Sequence, residues 1–437
     1  MHALAASLAA TLPAFRSRNF RLFFAGQLIS LVGTWMQQIA MVWLAYRLTD
    51  SVLMLGLVGF ASQIPILLFG PVAGVWNDRL DRRRLLVLTQ ILAMTQALAL
   101  FGLTASGAVT PAVIVALAFA LGCINAFDMP ARQAFVAQLV DDRSALASAI
   151  GLNSLLMNAS RFVGPTLAGL IVATAGEAVC FLLNALSYLA ALAALAAIRT
   201  PQRPASPPQS VFAALAAGWR YAFAQPRIRL PLLLVAGFGF LVTPYAVLTP
   251  VFARDIFAGN AQTYGFMIGS AGAGSLCGAL FLALRGGRRA VAGLDRLVAR
   301  TALAGGLALT GFALAPAPVW AYPLLAVLGF SVVVTAAGSN TLIQSEVAEE
   351  FRGRVMALFS TAFLGIAPLS SLAIGALAAW LSVRPTLFVC GLLAGTLGLL
   401  CVQTLKKSGG VPRDASAALA KTGRLTSSPS SCPRQRP

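Results

Sequence analysis

The sequence predicts an all-α membrane protein of twelve transmembrane helices in two pseudo-symmetric six-helix bundles. Three observations carry that expectation. Of 437 residues, 58% are hydrophobic and only 10% charged, and the mean hydropathy is +0.82. A soluble domain carries about 25% charged residues, and so few ionised groups could not cover a globule in water. The apolar residues fall into twelve long runs, each close to the ~20 residues that cross a bilayer as a helix. The basic residues collect in alternate gaps between those runs, as they do when successive loops alternate between the two sides of a membrane.

The runs cover residues 20–46, 52–76, 85–105, 110–138, 146–173, 177–198, 230–253, 262–284, 293–315, 318–345, 355–381 and 385–404. The longer ones permit tilt or an extension beyond the bilayer. Prolines within them (Pro65, Pro71, Pro165, Pro244, Pro368) are tolerated where helices pack on one another. Ahead of the first run, residues 3–14 are apolar, but the charges Arg16, Arg18 and Arg21 follow that stretch. A secretory signal carries its charges first, so residues 1–17 read as a cytoplasmic leader. Residues 18–198 make the N-terminal bundle and residues 230–405 the C-terminal one. Between them, residues 199–229 form a cytoplasmic linker, opened by a proline-rich stretch and ending in an amphipathic surface helix over 211–223. Residues 406–437 are rich in Ser, Pro and basic residues, the composition of a disordered cytoplasmic tail.

The two halves echo each other. Gly70-x-x-x-Gly74, followed by basic residues, recurs as Gly274-x-x-x-Gly278 ahead of Arg285, Arg288 and Arg289. The stretch from Arg132 that precedes an Asp/Arg loop is echoed by the stretch from Ser339 that precedes Arg352 and Arg354. Two six-helix repeats about a midplane site are a transporter architecture.

The chain has 32 basic and 13 acidic residues, a net charge of +19. In a soluble protein that excess would suggest nucleic acid. Here position decides otherwise. Gaps after even-numbered runs hold Arg79, Arg82, Arg83 and Arg84, then Arg143, then Arg199, Arg203, Arg220, Arg227 and Arg229, and later the arginines just named; odd-numbered gaps hold Arg47, Arg254 and Arg384. The asymmetry predicts a multi-pass protein of the cell membrane with both termini cytoplasmic, whose partner is the lipid bilayer and not nucleic acid. His2 is the single histidine, and the six cysteines include no C-x-x-C pair, so no metal centre is expected. Lysines occur only at 406, 407 and 421, and no phosphate loop is present. No cofactor is expected, and the chain has no visible means of using ATP by itself.

The loop after the second run reads Gly74-Val-Trp-Asn-Asp78-Arg79-Leu-Asp81-Arg82-Arg83-Arg84. It resembles the signature of the major facilitator superfamily, G-x-x-x-D-[RK]-x-G-[RK]-x-[RK]. Gly74, Asp78, Arg79, Arg82 and Arg84 match, and Asp81 stands where the family has glycine. The resemblance implies a charge latch at the cytoplasmic helix ends, suited to a two-state rocker; a plain positive-inside loop is the competing reading. In the fifth run, Gly151, Ser160, Gly164, Pro165, Ala168 and Gly169 resemble the superfamily's antiporter motif, G-x8-G-x3-G-P-x2-G-G, with Ser160 and Ala168 in glycine positions. In the family this motif accompanies exporters, although small residues at this spacing also serve ordinary close helix packing. The run Phe-Asp128-Met-Pro-Ala-Arg132-Gln and the phrase from Phe15 to Phe23 are similar to the branch that contains enterobactin and macrolide exporters, the transmembrane secretion effectors.

Asp128 and Arg161 are charges inside spans, where isolated charge is costly and must face a cavity or a partner. Both are expected near mid-bilayer, with Arg161 as the first choice of partner for Asp128 and Arg132 as the alternative. Either they carry proton coupling or they fix helix packing. Gln37, Gln38, Gln63, Asn184, Tyr245 and Asn340 are candidates for lining a cavity. The resemblance implies secondary transport by a monomer, with proton-coupled efflux of a small amphipathic molecule, such as a drug or siderophore, as the leading expectation. An uncoupled or import-direction facilitator is the runner-up. A receptor or membrane enzyme would need a sensing domain or a catalytic cluster, and neither is visible.

Overall fold

The computed structural model describes residues 13–140, 143–198, 219–285 and 291–408. Twelve helices long and apolar enough to cross a membrane follow one another. They are α1 (Arg18–Thr49), α2 (Val52–Arg79), α3 (Arg82–Ala105), α4 (Pro111–Val136), α5 (Arg143–Ala175) and α6 (Glu177–Ala197) in the first half. The second half holds α7 (Pro226–Ile256), α8 (Ala261–Leu284), α9 (Leu294–Leu314), α10 (Pro318–Glu346), α11 (Glu349–Leu381) and α12 (Val383–Ser408). Among the described residues there is no strand.

Local chemistry sets the boundaries. Ser17, Ser51, Asp81, Thr110 and Asn260 each accept a backbone N–H at a helix start, satisfying donors that the first turn leaves unpaired. Asp81 explains the departure from the family signature. Its φ of −62° needs no glycine, and its carboxylate caps α3 by accepting from the Arg83 and Arg84 N–H groups at 2.9 and 3.1 Å. Two helices are interrupted: α7 turns at Thr243–Pro244 and ends in a π-helical turn over Phe252–Ile256, and α11 breaks at Gly365.

Pairing within each half follows one scheme. In the first half α1 packs on α6, α2 on α4, α3 on α4 and α6, and α1 on α5; α7–α12, α8–α10, α9–α10, α9–α12 and α7–α11 repeat it. The sequence echoes fall on equivalent helices, α2 with α8 and α4 with α10. The interiors differ. In the first half Asn184 donates to Gln37 at 2.8 Å, Gln37 donates to Gln96 at 2.8 Å, and Gln96 donates to the Leu117 carbonyl at 3.1 Å. This buried amide ladder ties α6, α1, α3 and α4. The second half relies on close backbone approach: a methyl group on Gly274 of α8 would overlap the Ala326 carbonyl of α10.

The halves meet through α5–α8 and its pseudo-symmetric counterpart α2–α11. A Cβ on Gly265 would stand 2.5 Å from the Gly169 Cα, and one on Gly56 would stand 3.1 Å from the Gly375 Cα. The glycine-rich stretch 265–274 is therefore a packing surface. Further contact comes from Trp43 stacked on Tyr264 at 5.8 Å. These contacts gather toward the face that carries the odd-numbered loops, whereas α2–α11 runs deeper, to Leu67 beside Gly365.

One boundary expectation changes. Residues 406–408 continue α12 as helix, so the tail begins later than the composition suggested; residues 409–437 lie outside the described residues. The leader's residues 1–12 and the linker's 199–218 also lie outside them, as does most of the expected surface helix. Its end, 219–224, is helical, with Tyr221 stacked on Phe351 at 4.2 Å.

Replacing Gly265 by Leu should force α5 and α8 apart at a cost of about 1–3 kcal/mol. The expected outcome is a lower unfolding midpoint of the purified protein, while the same change at Gly151, which has open space around it, leaves the midpoint unchanged.

Candidate functional site

Asp128 and Arg132 lie one turn apart on α4, and one turn apart places side chains on the same helix face. Arg132 donates to Asp128 through Nη2 to Oδ2. The other carboxylate oxygen accepts from Thr89 Oγ1 and Gln90 Nε2 of α3, both at 2.9 Å. Asp128 is 2% exposed, and Arg132 Nε is buried without a hydrogen-bond partner. Gln90 extends the cluster to Ser30 of α1, whose hydroxyl donates to Gln90 Oε1 at 3.4 Å. The result is a charged knot among α1, α3 and α4.

Two expectations about this knot are corrected. Arg161 is not the partner of Asp128. The α4 face bearing Asp128 turns toward α3, while Arg161 on α5 points its guanidinium over the Trp35 ring of α1, 5.0 Å from the centroid. Nor is Asp128 at the middle of its helix. It lies eight residues from the Val136 end of α4, about 12 Å at 1.5 Å per residue. Arg161, with 18 residues of α5 before it and 14 after, is the charge nearest the middle of its helix.

The antiporter-type motif resolves into backbone contacts on two sides of α5. A Cβ on Gly164 would stand 2.5 Å from Trp35 Cβ and 2.9 Å from the Val32 carbonyl of α1. On the other side, the Pro165 carbonyl and Gly169 abut Gly265 of α8, and the Arg161 carbonyl abuts Gly272. Ser160 is fully buried and its hydroxyl lacks a partner, so its smallness is what the site uses. Gly151 touches nothing within 4 Å. The motif thus seats α5 between α1 of its own half and α8 of the other.

Of the residues expected at the latch, the side chains of Gly74, Asp78 and Arg79 lie outside the described residues. Arg82 opens α3, and Arg84 stands 3.9 Å from Asp81. Arg83, absent from the signature, reaches the C-terminus of α6, donating to the Leu195 and Ala196 carbonyls at 2.7 and 3.0 Å. A cation there satisfies orphan carbonyls and complements the helix dipole.

The cavity candidates divide. Gln37 and Asn184 are fully buried in the amide ladder and do not line a cavity; their mutual hydrogen bonds consume the groups a ligand would need. Gln38 is exposed, and Gln63, Tyr245 and Asn340 are half-buried. Asn340 accepts from Gln344 one turn on. Gln38 continues a helical stripe on α1 through Ala25, Leu28, Val32 and Trp35 that is at least partly exposed, whereas residues 43–46 of the same helix are buried.

The sequence reading missed an ion cluster across the halves at the odd-loop face. Arg254, on the π-turn of α7, pairs with Asp50 at the end of α1 and lies over the Tyr46 ring, 5.6 Å from its centroid; the Tyr46 hydroxyl donates to Asp255. Beside it Arg47 holds Glu177 of α6 at 2.8 Å, and Arg384 donates to the Ala315 carbonyl at 3.1 Å. All three odd-gap arginines are therefore engaged by the protein. The signal available in the sequence was the presence of Asp50, Glu177 and Asp255 in the same gaps, but pairing across 204 positions is not readable from spacing.

Comparison with known proteins places this geometry. A family described as transmembrane secretion effector matches residues 9–425. A staphyloferrin A transporter of Staphylococcus aureus is 26% identical over 264 residues, 60% of this chain and 66% of that protein. Macrolide efflux protein A of Streptococcus pyogenes is 24% identical over 389 residues, covering 85% of this chain and 94% of the relative. The multidrug efflux pump Tap of Mycolicibacterium fortuitum is 24% identical over 83% of this chain and 90% of its own. The fold is that of a bacterial homologue of the human lysosomal transporter spinster, solved inward-facing and unoccupied (TM-score 0.66, 13% identity, 89% of this chain and 98% of that one). It is likewise that of an inward-facing bacterial homologue of the iron transporter ferroportin (TM-score 0.65, 17% identity, 88% and 98%). With its twelve spans and a family match over nearly the whole chain, the protein belongs to the transmembrane secretion effector family of the major facilitator superfamily, and is a membrane transporter rather than an enzyme.

Proposed function

We propose that the protein exports a small amphipathic molecule across the cell membrane by alternating access, driven by proton entry and carried out by a single chain. One observation supports the reading: the halves close on each other toward the odd-loop face, where Trp43 stacks on Tyr264 and Arg254 pairs with Asp50, while the α1 stripe from Ala25 to Gln38 stays at least partly exposed. Closure at one face, between halves joined by glycine seams, is what one of the two states of a rocking transporter requires. The arginine asymmetry supports an orientation with the odd-loop face outside and both termini in the cytoplasm. The state described is then inward-facing, ready to take its cargo from the cytoplasm. The efflux relatives and the antiporter-type motif on α5 support export over import.

For coupling we assign Asp128 and Arg132. Asp128 is the carboxylate buried within a span on the cytoplasmic side of the midplane, and three donors converge on it. Rocking that withdraws α3 from α4 would remove Thr89 and Gln90, leaving Arg132 alone to oppose protonation. The latch residues Asp78, Arg79, Arg82 and Arg84 are assigned to hold the cytoplasmic ends together in the opposite, outward-facing state.

Three outcomes follow. A membrane-impermeant maleimide applied to intact cells should label a cysteine at Ala108 but not one at Ser206; labelling at Ser206 would reverse the orientation. Asp78→Asn should insert normally and lower efflux at least several-fold, whereas unchanged efflux would leave that loop a topology signal. Asp128→Asn should abolish proton-driven efflux from energised inverted vesicles. Because it also strands the Arg132 charge, at a cost on the order of 3–5 kcal/mol, the double variant Asp128→Asn/Arg132→Gln should recover folded protein without recovering efflux. Export against a gradient by that double variant would return the pair to a purely structural role.

A further inference from the structure

Arg161 is a cation near the middle of its span, without an acidic partner among the described residues. The described acidic side chains that form ion pairs are committed elsewhere: Asp50 and Asp255 at the odd-loop cluster, Asp81 to Arg84, Glu177 to Arg47, Asp128 to Arg132, Glu346 to Arg227 and Glu349 to Arg352. What faces Arg161 is the Trp35 ring, 5.0 Å from its guanidinium carbon; Tyr245, of the opposite half, is close enough to interact with it electrostatically. Tyr245 begins the second segment of α7, directly after the Thr243–Pro244 turn. Arg161 is half-buried, so its donors border open space, and Trp35 belongs to the exposed stripe of α1 that also carries Gln38.

The placement of this arginine is fixed by its backbone. The Arg161 carbonyl lies against Gly272 of α8, and one turn later Gly164 lies against Val32 and Trp35 of α1. Both sides of α5 are clamped by close backbone contact, and the guanidinium is held over Trp35 of α1. A charge deep in a span is retained where it serves a ligand or a partner; no carboxylate partner is present among the described residues. A guanidinium offers five N–H donors in a planar fork matched to carboxylate, phosphate or sulfonate, and the adjacent indole offers an apolar face.

We propose that Arg161, flanked by Trp35 and Tyr245, is the anion subsite for the transported molecule, and that the substrate class is an amphipathic anion: an acidic head on an aromatic or apolar body. This rests on the transport reading above and narrows it. The guanidinium takes the acidic head, the indole face of Trp35 takes the body, and the Tyr245 hydroxyl donates a hydrogen bond from the second half, so that the cargo itself bridges the two halves.

The test uses the full-length protein and matched naphthalene probes: 1-naphthoate, naphthalene-1-sulfonate and 1-naphthyl phosphate, against neutral 1-naphthamide and cationic 1-naphthylmethylammonium. Binding is read as the shift in unfolding midpoint of purified protein, and transport as uptake into energised inverted vesicles. At least one anion should raise the midpoint by several degrees and be taken up, with the amide and the ammonium ineffective. Arg161→Gln should lose both effects, and Arg161→Lys, which keeps the charge but not the fork, should retain binding weakened about tenfold or more. Stabilisation by the amide or the ammonium as large as by the anions, no response to any anion, or unaltered anion binding in Arg161→Gln would each overturn the assignment. Should Arg161→Gln fail to fold, the Arg161→Lys comparison decides: affinity equal to wild type rejects the fork. The two readings fail separately. Vigorous uptake of only the ammonium probe would sink the anion subsite and leave a transporter, whereas Arg161-dependent anion binding without movement of any probe would leave the subsite and sink transport.

Discussion

In a bilayer the apolar faces of two helices gain little by meeting, because lipid chains solvate them as well as they solvate each other. Whatever holds the two halves of this protein together must come from close packing and from polar groups that lipid cannot satisfy. The α5–α8 seam supplies the first. With no side chains at Gly169 and Gly265, two backbones touch, and dispersion contacts accumulate over a short crossing. Around that seam the remaining parts fall into place: Arg161 is set at its lower end, Trp35 is positioned by Gly164, and Tyr264 meets Trp43 just above.

The second contribution differs between the two sides of the molecule. At the odd-loop face, Asp50, Arg254 and Asp255 connect the halves around the buried Tyr46 ring from partly exposed positions, where an ion pair contributes roughly 0–1 kcal/mol. Such contacts are cheap to break, which suits a closure that must open in each cycle. Inside the first half, the amide ladder of Asn184, Gln37 and Gln96 is fully buried, where leaving one group unsatisfied costs about 1–3 kcal/mol. Rigid interiors joined by weak seams are what a rocking pair of bundles needs.

Among the described residues, the buried charged and amide side chains all belong to the first half, while the second half buries only hydroxyls. Asp128, Arg132, Thr89, Gln90 and Ser30 sit among its helices, whereas the second half is packed through Gly274, Gly329, Gly306 and Gly395 against facing backbone. The proposed division of labour follows: the first half holds the groups that respond to charge, and the second supplies the surface against which it moves.

The sequence by itself determined the fold. Twelve apolar runs match the twelve spans within a few residues, because the bilayer imposes one length and one polarity on every crossing. The antiporter-type motif was legible because backbone contact tolerates only small residues, and the cost of a buried charge marked Asp128 and Arg161 as special. Their partners were not legible. Arg132 and Arg161 both lay within plausible reach of Asp128, and the choice depends on how α3, α4 and α5 rotate about their own axes, which neighbouring helices decide. The same rotation buried Gln37 and Asn184 in a ladder while leaving Gln38 exposed. The Asp50–Arg254 pair joins residues of opposite halves, and only tertiary structure could bring them together, since nothing in local spacing encodes a contact made by folding one repeat against the other.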